Sequence, residues 1–293
     1  MNQSTDKTMA IFPGTGIGDA LLTLTLAHNA VRNGYRVEVF NQTLRELDHW
    51  FPAFRIQAVP DAARIPSVIE SHELVYLDKK FLPEKLSSEQ LTHCVVASKR
   101  DFDRQQHYLD NLKKLFINEM KLQWYDDTNG ISPPAQYQRC RYPQRVCLHV
   151  TSTNAEKNWP IEKYLKLANE LQLLGYQPMF ILASSEFEER RVLSEQPFSV
   201  KVCATLEELA ICLYESAAVI ANDSGPGHLA ACLGLPVVSI FNRKSNTLHW
   251  KPLAKQLNIV TPNFRLPGKK GHRYWKQLVS VRRVLRAFKH LKV

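Results

Sequence analysis

A chain of 293 residues, 44% of them hydrophobic, exceeds one ordinary domain and suits two α/β units of about 130 residues each. That composition excludes wholesale disorder, and no apolar run approaches the roughly 18 residues needed to span a bilayer. The net charge of +10 is unevenly placed: no Asp or Glu follows Asp223, so residues 224–293 carry 14 Lys and Arg unopposed, while the first 223 carry 24 basic against 28 acidic groups. Such one-sidedness attracts anions, whether nucleic acid, an anionic membrane surface or a charged substrate; the alternative is a solvated basic tail. Met1 to Met9 is polar and lacks a signal-peptide core, so a cytoplasmic location is expected. The six cysteines form no C-x-x-C pair, which argues against a zinc site or a disulfide framework.

In chain order, Met9 to Phe12 is a short apolar run ended by Pro13 and the glycine-rich turn Gly14-Thr15-Gly16-Ile17-Gly18. A helix-length segment, Ala20 to Arg32, closes at Asn33-Gly34, and Arg36 to Phe40 reads as a strand, which opens a parallel βαβ unit. Glu73 to Leu77 and His93 to Ala97 read as further strands, and Asp103 to Met120 as a helix. Ile131 to Pro143 holds Ser132-Pro133-Pro134 and is the expected linker.

The second half alternates regularly. Strands are expected at Arg145–Val150, Met179–Leu182, Ser199–Cys203, Ala217–Asn222 and Pro236–Phe241, with helices at Ile161–Leu174, Glu186–Glu195, Thr205–Glu215 and Gly227–Leu233. Thr205 and Glu208 suggest a capping box. Five strands alternating with four helices require a mostly parallel, doubly wound sheet. Tyr274 to Val293 reads as one basic amphipathic helix, suited to an anionic lipid surface or to docking on another domain.

Three segments carry chemistry. A buried strand ends at Asn222, and Asp223-Ser224-Gly225-Pro226-Gly227-His228 opens a helix whose free N–H groups and dipole suit an anion. Gly225 and Gly227 admit a diphosphate, Ser224 adds a hydroxyl, and Asp223 fits a sugar hydroxyl better than phosphate; the plainer alternative is that Asp223 or Ser224 only caps the helix. Thr151-Ser152-Thr153 and Lys157 follow a neighbouring strand and supply hydroxyls and a compact cation to the same crevice. Asp19 sits at a helix start, either as a carboxylate that accepts a proton or as a helix cap. Gly14-x-Gly16-x-Gly18 lacks the last glycine of a nicotinamide fingerprint. His28, His49, His93, His149 and His249 show no ligand spacing and read as structural or surface residues. Two other classes remain: a nicotinamide-dependent dehydrogenase, and a nucleic-acid-binding module using the basic tail, for which stacking aromatics are few.

Asp223 to Ala231, ending in Gly234-Leu235-Pro236-Val237-Val238, resembles the signature of glycosyltransferase family 9, which holds the lipopolysaccharide heptosyltransferases. Lys157-Asn158-Trp159-Pro160 resembles that family's Lys-x-Trp-Pro element, and Gly18-Asp19-Ala20-Leu21-Leu22 its N-terminal Gly-Asp element. Thr25 departs from a proline the family often carries there. The resemblance implies a GT-B fold: two Rossmann-like doubly wound domains facing a cleft, an acceptor domain at 1–142, a nucleotide-sugar domain at 143–272, and a C-terminal helix at 273–293 crossing back to the first. It implies an inverting transfer without metal or cofactor, typically from ADP-heptose, onto an anionic lipid-linked glycan. It casts Asp19 as the general base. Thr151, Ser152, Lys157, Ser224 and Gly225 would hold the diphosphate, Asp223 and His228 would meet the donor sugar or its phosphate, and Glu186 the ribose. A monomer is expected, with peripheral contact at the inner membrane surface and no nucleic-acid partner; a catalytically dead glycan-binding relative is the remaining alternative.

Overall fold

Strands whose residues are buried on both faces read as near-continuous apolar runs, the mark of a parallel sheet covered by helices. The computed structural model describes residues 7–84, 86–263 and 274–293. The chain divides into two units, Met1–Ser132 and Pro133–Val293. The division falls inside the Pro-rich linker segment, ahead of the 142/143 boundary expected; the 272/273 boundary lies outside the described residues.

In the first unit, β1 (Thr8–Phe12), β2 (Arg36–Phe40), β3 (Arg55–Gln57), β4 (Leu74–Asp78) and β5 (Cys94–Ala97) form a sheet of order β3-β2-β1-β4-β5, parallel throughout. Helix α1 (Ile17–Arg32) crosses from β1 to β2, α2 (Ile65–Glu70) and α3 (Ser88–Leu91) precede β4 and β5, and α4 (Tyr108–Asn118) packs on α1. The expected helix from Asp103 starts later, because the His107 side chain caps it by accepting from the Leu109 amide at 3.1 Å. The sheet order reverses between β1 and β4, and ligands of open parallel sheets bind beside the strand ends at such a reversal.

The second unit carries a six-stranded parallel sheet: β6 (Tyr142–His149), β7 (Gln177–Ala183), β8 (Ser199–Cys203), β9 (Ser216–Asn222), β10 (Val237–Ile240) and β11 (Leu257–Val260), in the order β11-β10-β9-β6-β7-β8. Its helices are α5 (Ile161–Leu173), α6 (Phe187–Ser194), α7 (Leu206–Tyr214) and α8 (Gly225–Cys232). The Thr205 hydroxyl caps α7 by accepting from the Glu208 amide at 3.1 Å, but the Glu208 carboxylate accepts from Ala204 rather than Thr205, so half of the expected capping box forms. The reversal here lies between β6 and β9.

The C-terminal segment corrects the sequence reading. Ser280 caps a separate helix, Val281–Lys289, so the continuous helix expected from Tyr274 is interrupted. Val284, Leu285 and Phe288 join Leu167, Leu171 and Val238 in the second unit's core. An apolar stripe reveals that a helix docks but not on what; this one packs against α5 and against β10 and β11 of the second sheet.

Candidate functional site

At the C-terminal end of the second sheet, β6 and β9 are neighbours, so the loop after each is brought to the same edge. Asn222, the last residue of β9 and fully buried, ties them: its side chain donates to the Val150 carbonyl at 2.8 Å and accepts from the Trp159 amide at 3.0 Å. This clamp holds both ends of the loop 150–159 against the start of α8. Inside it, Lys157 Nζ donates to Asp223 Oδ2 at 2.8 Å, with the Asp223 side chain only 6% exposed.

Neither Asp223 nor Ser224 acts as a side-chain cap. Ser224 occupies the cap position of α8 in extended backbone and makes no capping bond, and the Asp223 carboxylate is directed to Lys157. The first amides of the helix therefore keep their anion-binding capacity. Gly225 is the first helical residue and Pro226 the second, a position where a missing N–H costs nothing. His228 is buried within α8. Gly227 lets α8 lie close to β9: an added Cβ would stand 3.6 Å from both the Ala221 side chain and the Asn222 carbonyl.

Thr151 and Glu186 meet at the same edge. The Thr151 hydroxyl donates to Glu186 Oε1, and Glu186 Oε2 accepts from the Ala183 amide at 2.7 Å. The Ser152 hydroxyl turns back into its own loop, shared between the Asn154 carbonyl at 2.8 Å and Asn158 Oδ1 at 2.7 Å. Sequence reasoning passed over His149, which ends β6. It is 6% exposed and stands between Thr151, Ser224 and Glu186. Burial, opposed by the Thr151 backbone, lowers its pKa to about 4. Its signal in the sequence was position, at the end of a buried strand beside a hydroxyl-rich loop.

The C-terminal segment braces this loop from behind. The Trp275 indole donates to the Glu156 carbonyl and the Trp159 indole to the Val279 carbonyl, both at 3.0 Å. Lys163 on α5 donates to the carbonyls of Lys276 at 2.6 Å and Val279 at 2.8 Å.

Asp19 lies in the first unit, at the end of its own sheet beside the β1–β4 reversal. It is the third residue of α1, whose cap position is Gly16 with no side-chain bond, so Asp19 is not the helix cap. Its carboxylate accepts from Lys99 Nζ at 2.7 Å. The glycine-rich turn makes room for that carboxylate: a Cβ on Gly16 would stand 3.3 Å from Asp19 Oδ2. Asp78, ending β4, borders the same turn, and Lys80 donates to the Thr15 hydroxyl at 2.7 Å. Below it, burial first and then the Asp19 and Asp78 charges raise the Tyr108 phenol, against a lowering hydrogen bond from Thr23. Lys99 follows a strand in the poorly patterned region and had no motif to mark it.

The predicted site residues thus fall into two groups. Thr151, Lys157, Glu186, Asp223, Ser224 and Gly225 assemble on one edge, with Ser152 in the same loop; Asp19 stands on the other unit's sheet. Among the described residues, no group of three or more His, Cys, Asp or Glu is arranged to hold a metal ion, and no helix is long and apolar enough to cross a membrane.

The family model of glycosyltransferase family 9 (heptosyltransferase) matches residues 81–273. A search of curated protein sequences finds no match. Among solved structures, a glycosyltransferase family 9 protein from Veillonella parvula is similar with a TM-score of 0.75 at 17% identity, covering 98% of each chain. ADP-heptose lps heptosyltransferase II of E. coli gives a TM-score of 0.73 at 16% identity, over 96% of this chain and 97% of that one. The E. coli heptosyltransferase WaaC with ADP gives 0.69 at 18% identity, over 96% and 99%. At these identities the structural likeness carries the fold, two parallel-sheet α/β domains of GT-B type.

Proposed function

Since the chain belongs to glycosyltransferase family 9, and is thereby a glycosyltransferase of the heptosyltransferase family, we propose that it moves a heptose from ADP-heptose onto an anionic lipid-linked glycan of the lipopolysaccharide core. The observation that carries the donor half is the Asn222 clamp, which puts Lys157 and the start of α8 on one edge. Two phosphates need a cation and several preorganised donors. Lys157, the Ser224 hydroxyl and the α8 amides from Gly225 onward supply them, while Glu186, beside the Thr151 hydroxyl, offers a carboxylate to ribose. The relatives seen with ADP and with an ADP-2-deoxy-2-fluoro heptose support adenine as the base.

The chemistry is a single in-line displacement with inversion. Asp19 takes the acceptor hydroxyl proton as that oxygen attacks the anomeric carbon. The bond to the diphosphate breaks, and its growing charge is met by Lys157 and the α8 amides. Fixed donors aimed at developing charge are worth several kcal/mol. Asp223 holds Lys157 in place, and Asp223 and His228 meet the donor sugar or its phosphate. The exposed basic face of the terminal helix, Arg282, Arg286, Lys289 and Lys292, keeps the enzyme near anionic lipid.

Thermal shifts with ADP, UDP, GDP and CMP test the donor assignment. A ligand at 100 times its Kd stabilises by about 2.7 kcal/mol, enough to move Tm by several degrees. ADP is expected to raise Tm most, and Lys157→Ala to erase the shift. A wild-type Tm indifferent to all four nucleotides overturns the reading.

A further inference from the structure

His149 touches three of the groups assigned to the donor, so any role for it there rests on that donor reading. Its Nδ1 lies 3.4 Å from Ser224 Oγ, and its Nε2 lies 3.2 Å from Thr151 Oγ1 and 3.8 Å from Glu186 Oε1. The ring is buried and, with its pKa lowered to about 4, neutral at pH 7. A neutral imidazole has one N–H and one lone pair, and a hydroxyl has one proton to give. Beside the Thr151 backbone, the ring meets two hydroxyls and a carboxylate, and two self-consistent hydrogen-bond arrangements link those three side chains.

The first follows from the contacts present. The Thr151 proton is committed to Glu186 Oε1, so Thr151 receives Nε2–H and offers it no proton. Nδ1 then carries the lone pair and accepts from the Ser224 hydroxyl. In this arrangement Ser224 has no proton left for a phosphate, and Glu186 Oε1 is engaged by Thr151; Oε2 is held by the Ala183 amide in either case. In the second arrangement every bond reverses. Nδ1–H donates to Ser224 Oγ, the Thr151 hydroxyl turns to Nε2, and both the Ser224 proton and Glu186 Oε1 are released outward. Nε2 gives up its proton to solvent and Nδ1 takes one from solvent, so the two hydroxyls keep theirs and the charge of the site is unchanged.

We propose that His149 is a positioning residue, a tautomeric relay that links the diphosphate end of the donor site to its ribose end. A nucleoside diphosphate whose phosphate takes the Ser224 proton pulls the ring to the Nδ1–H form. That form turns Thr151 away from Glu186 and frees the carboxylate oxygen for a ribose hydroxyl. Occupation of either end prepares the other, so the intact nucleotide is bound better than its parts imply. A ring that merely packed the end of β6 would leave the two ends independent.

The test is a set of double-mutant cycles on the full chain, with ADP as the probe and calorimetric Kd as the readout. Ser224→Ala and Glu186→Gln are measured alone and together, with His149 present and in a His149→Phe background. With His149, the combined loss should depart from the product of the single losses by at least about threefold; in the His149→Phe background the two losses should multiply. Multiplying losses in both backgrounds, or the same departure in both, overturns the relay. Should the His149→Phe chain fail to fold, imidazole 15N shifts of the wild type during ADP titration decide: the protonated nitrogen moves from Nε2 to Nδ1, and a tautomer unchanged at saturation overturns the relay. A wild type that binds neither ADP, UDP nor GDP removes the donor reading itself; binding with an unchanged tautomer removes the relay alone.

Discussion

The two sheets present charge at their C-terminal edges in opposite ways. In the second unit, Lys157 meets an aspartate only 6% exposed, inside a loop locked by a buried asparagine and two indoles. In the first, Asp19 meets Lys99, whose side chain is 54% exposed. The Asp19–Lys99 pair is worth no more than about 1 kcal/mol and is readily exchanged; the Lys157–Asp223 pair is costlier to separate, because losing Lys157 leaves the Asp223 carboxylate buried. One edge is therefore held rigidly, and the other keeps the Asp19 carboxylate behind a cation that yields. The contrast fits a donor site of fixed chemistry and an acceptor site that accommodates a large glycan.

Five measurements break or sharpen that contrast. Asp19→Ala should lower turnover by about 10²- to 10⁴-fold, the usual yield of a general base, while leaving the Kd for ADP unchanged; near-normal turnover removes the base assignment. Lys157→Met should cost about 10²- to 10³-fold in turnover, the range for losing one preorganised donor, and unlike Asp19→Ala should also weaken ADP in calorimetry. His149 gives the buried edge a pH signature. Its pKa is about 4 in the folded chain against an ordinary 6.5, so between those values the unfolded chain binds the extra proton. Stability should then fall as pH drops from about 6.5 towards 4, by on the order of 2–3 kcal/mol from this residue, and His149→Phe should flatten that slope in urea titrations. Asn222→Ala strips the partner from a buried carbonyl and a buried amide and should destabilise by about 1–3 kcal/mol, with a matching fall in urea midpoint. Leu173→Lys, on a side chain 81% exposed, should stay within about 0.5 kcal/mol of wild type and serves as the reference.

The sequence reading succeeded where physics is local. Strands β6 to β10 stand between clear stops and alternate with helix-length segments, and the hydroxyls, Lys157 and Asp223 stand at strand ends where a parallel sheet collects ligands. It missed β3, where Ile56 is the one apolar side chain of three, and β11, where Asn258 interrupts a run of four. The setting of His149 was not legible because its surroundings come from far along the chain: Glu186 and Ser224 reach it only once β6 lies between β7 and β9. Lys99 was invisible for a similar reason, since β4 and β5 must pair before it can approach Asp19. What covers the terminal helix was not legible because hydrophobic spacing is silent about the opposing surface; α5, β10 and β11 supply it.

The bonds from Trp275 and Val279 to the loop around Lys157 span 119 and 120 positions. Closing so long a separation carries a large entropic toll and comes late in folding. The loop around Lys157, the proposed phosphate site, should therefore be among the last parts of the molecule to become ordered and the first to loosen under mild denaturant. Nucleotide affinity then reports on the whole second unit: a chain that has assembled its sheet but not seated its final segment would look folded by circular dichroism yet grip nucleotide poorly.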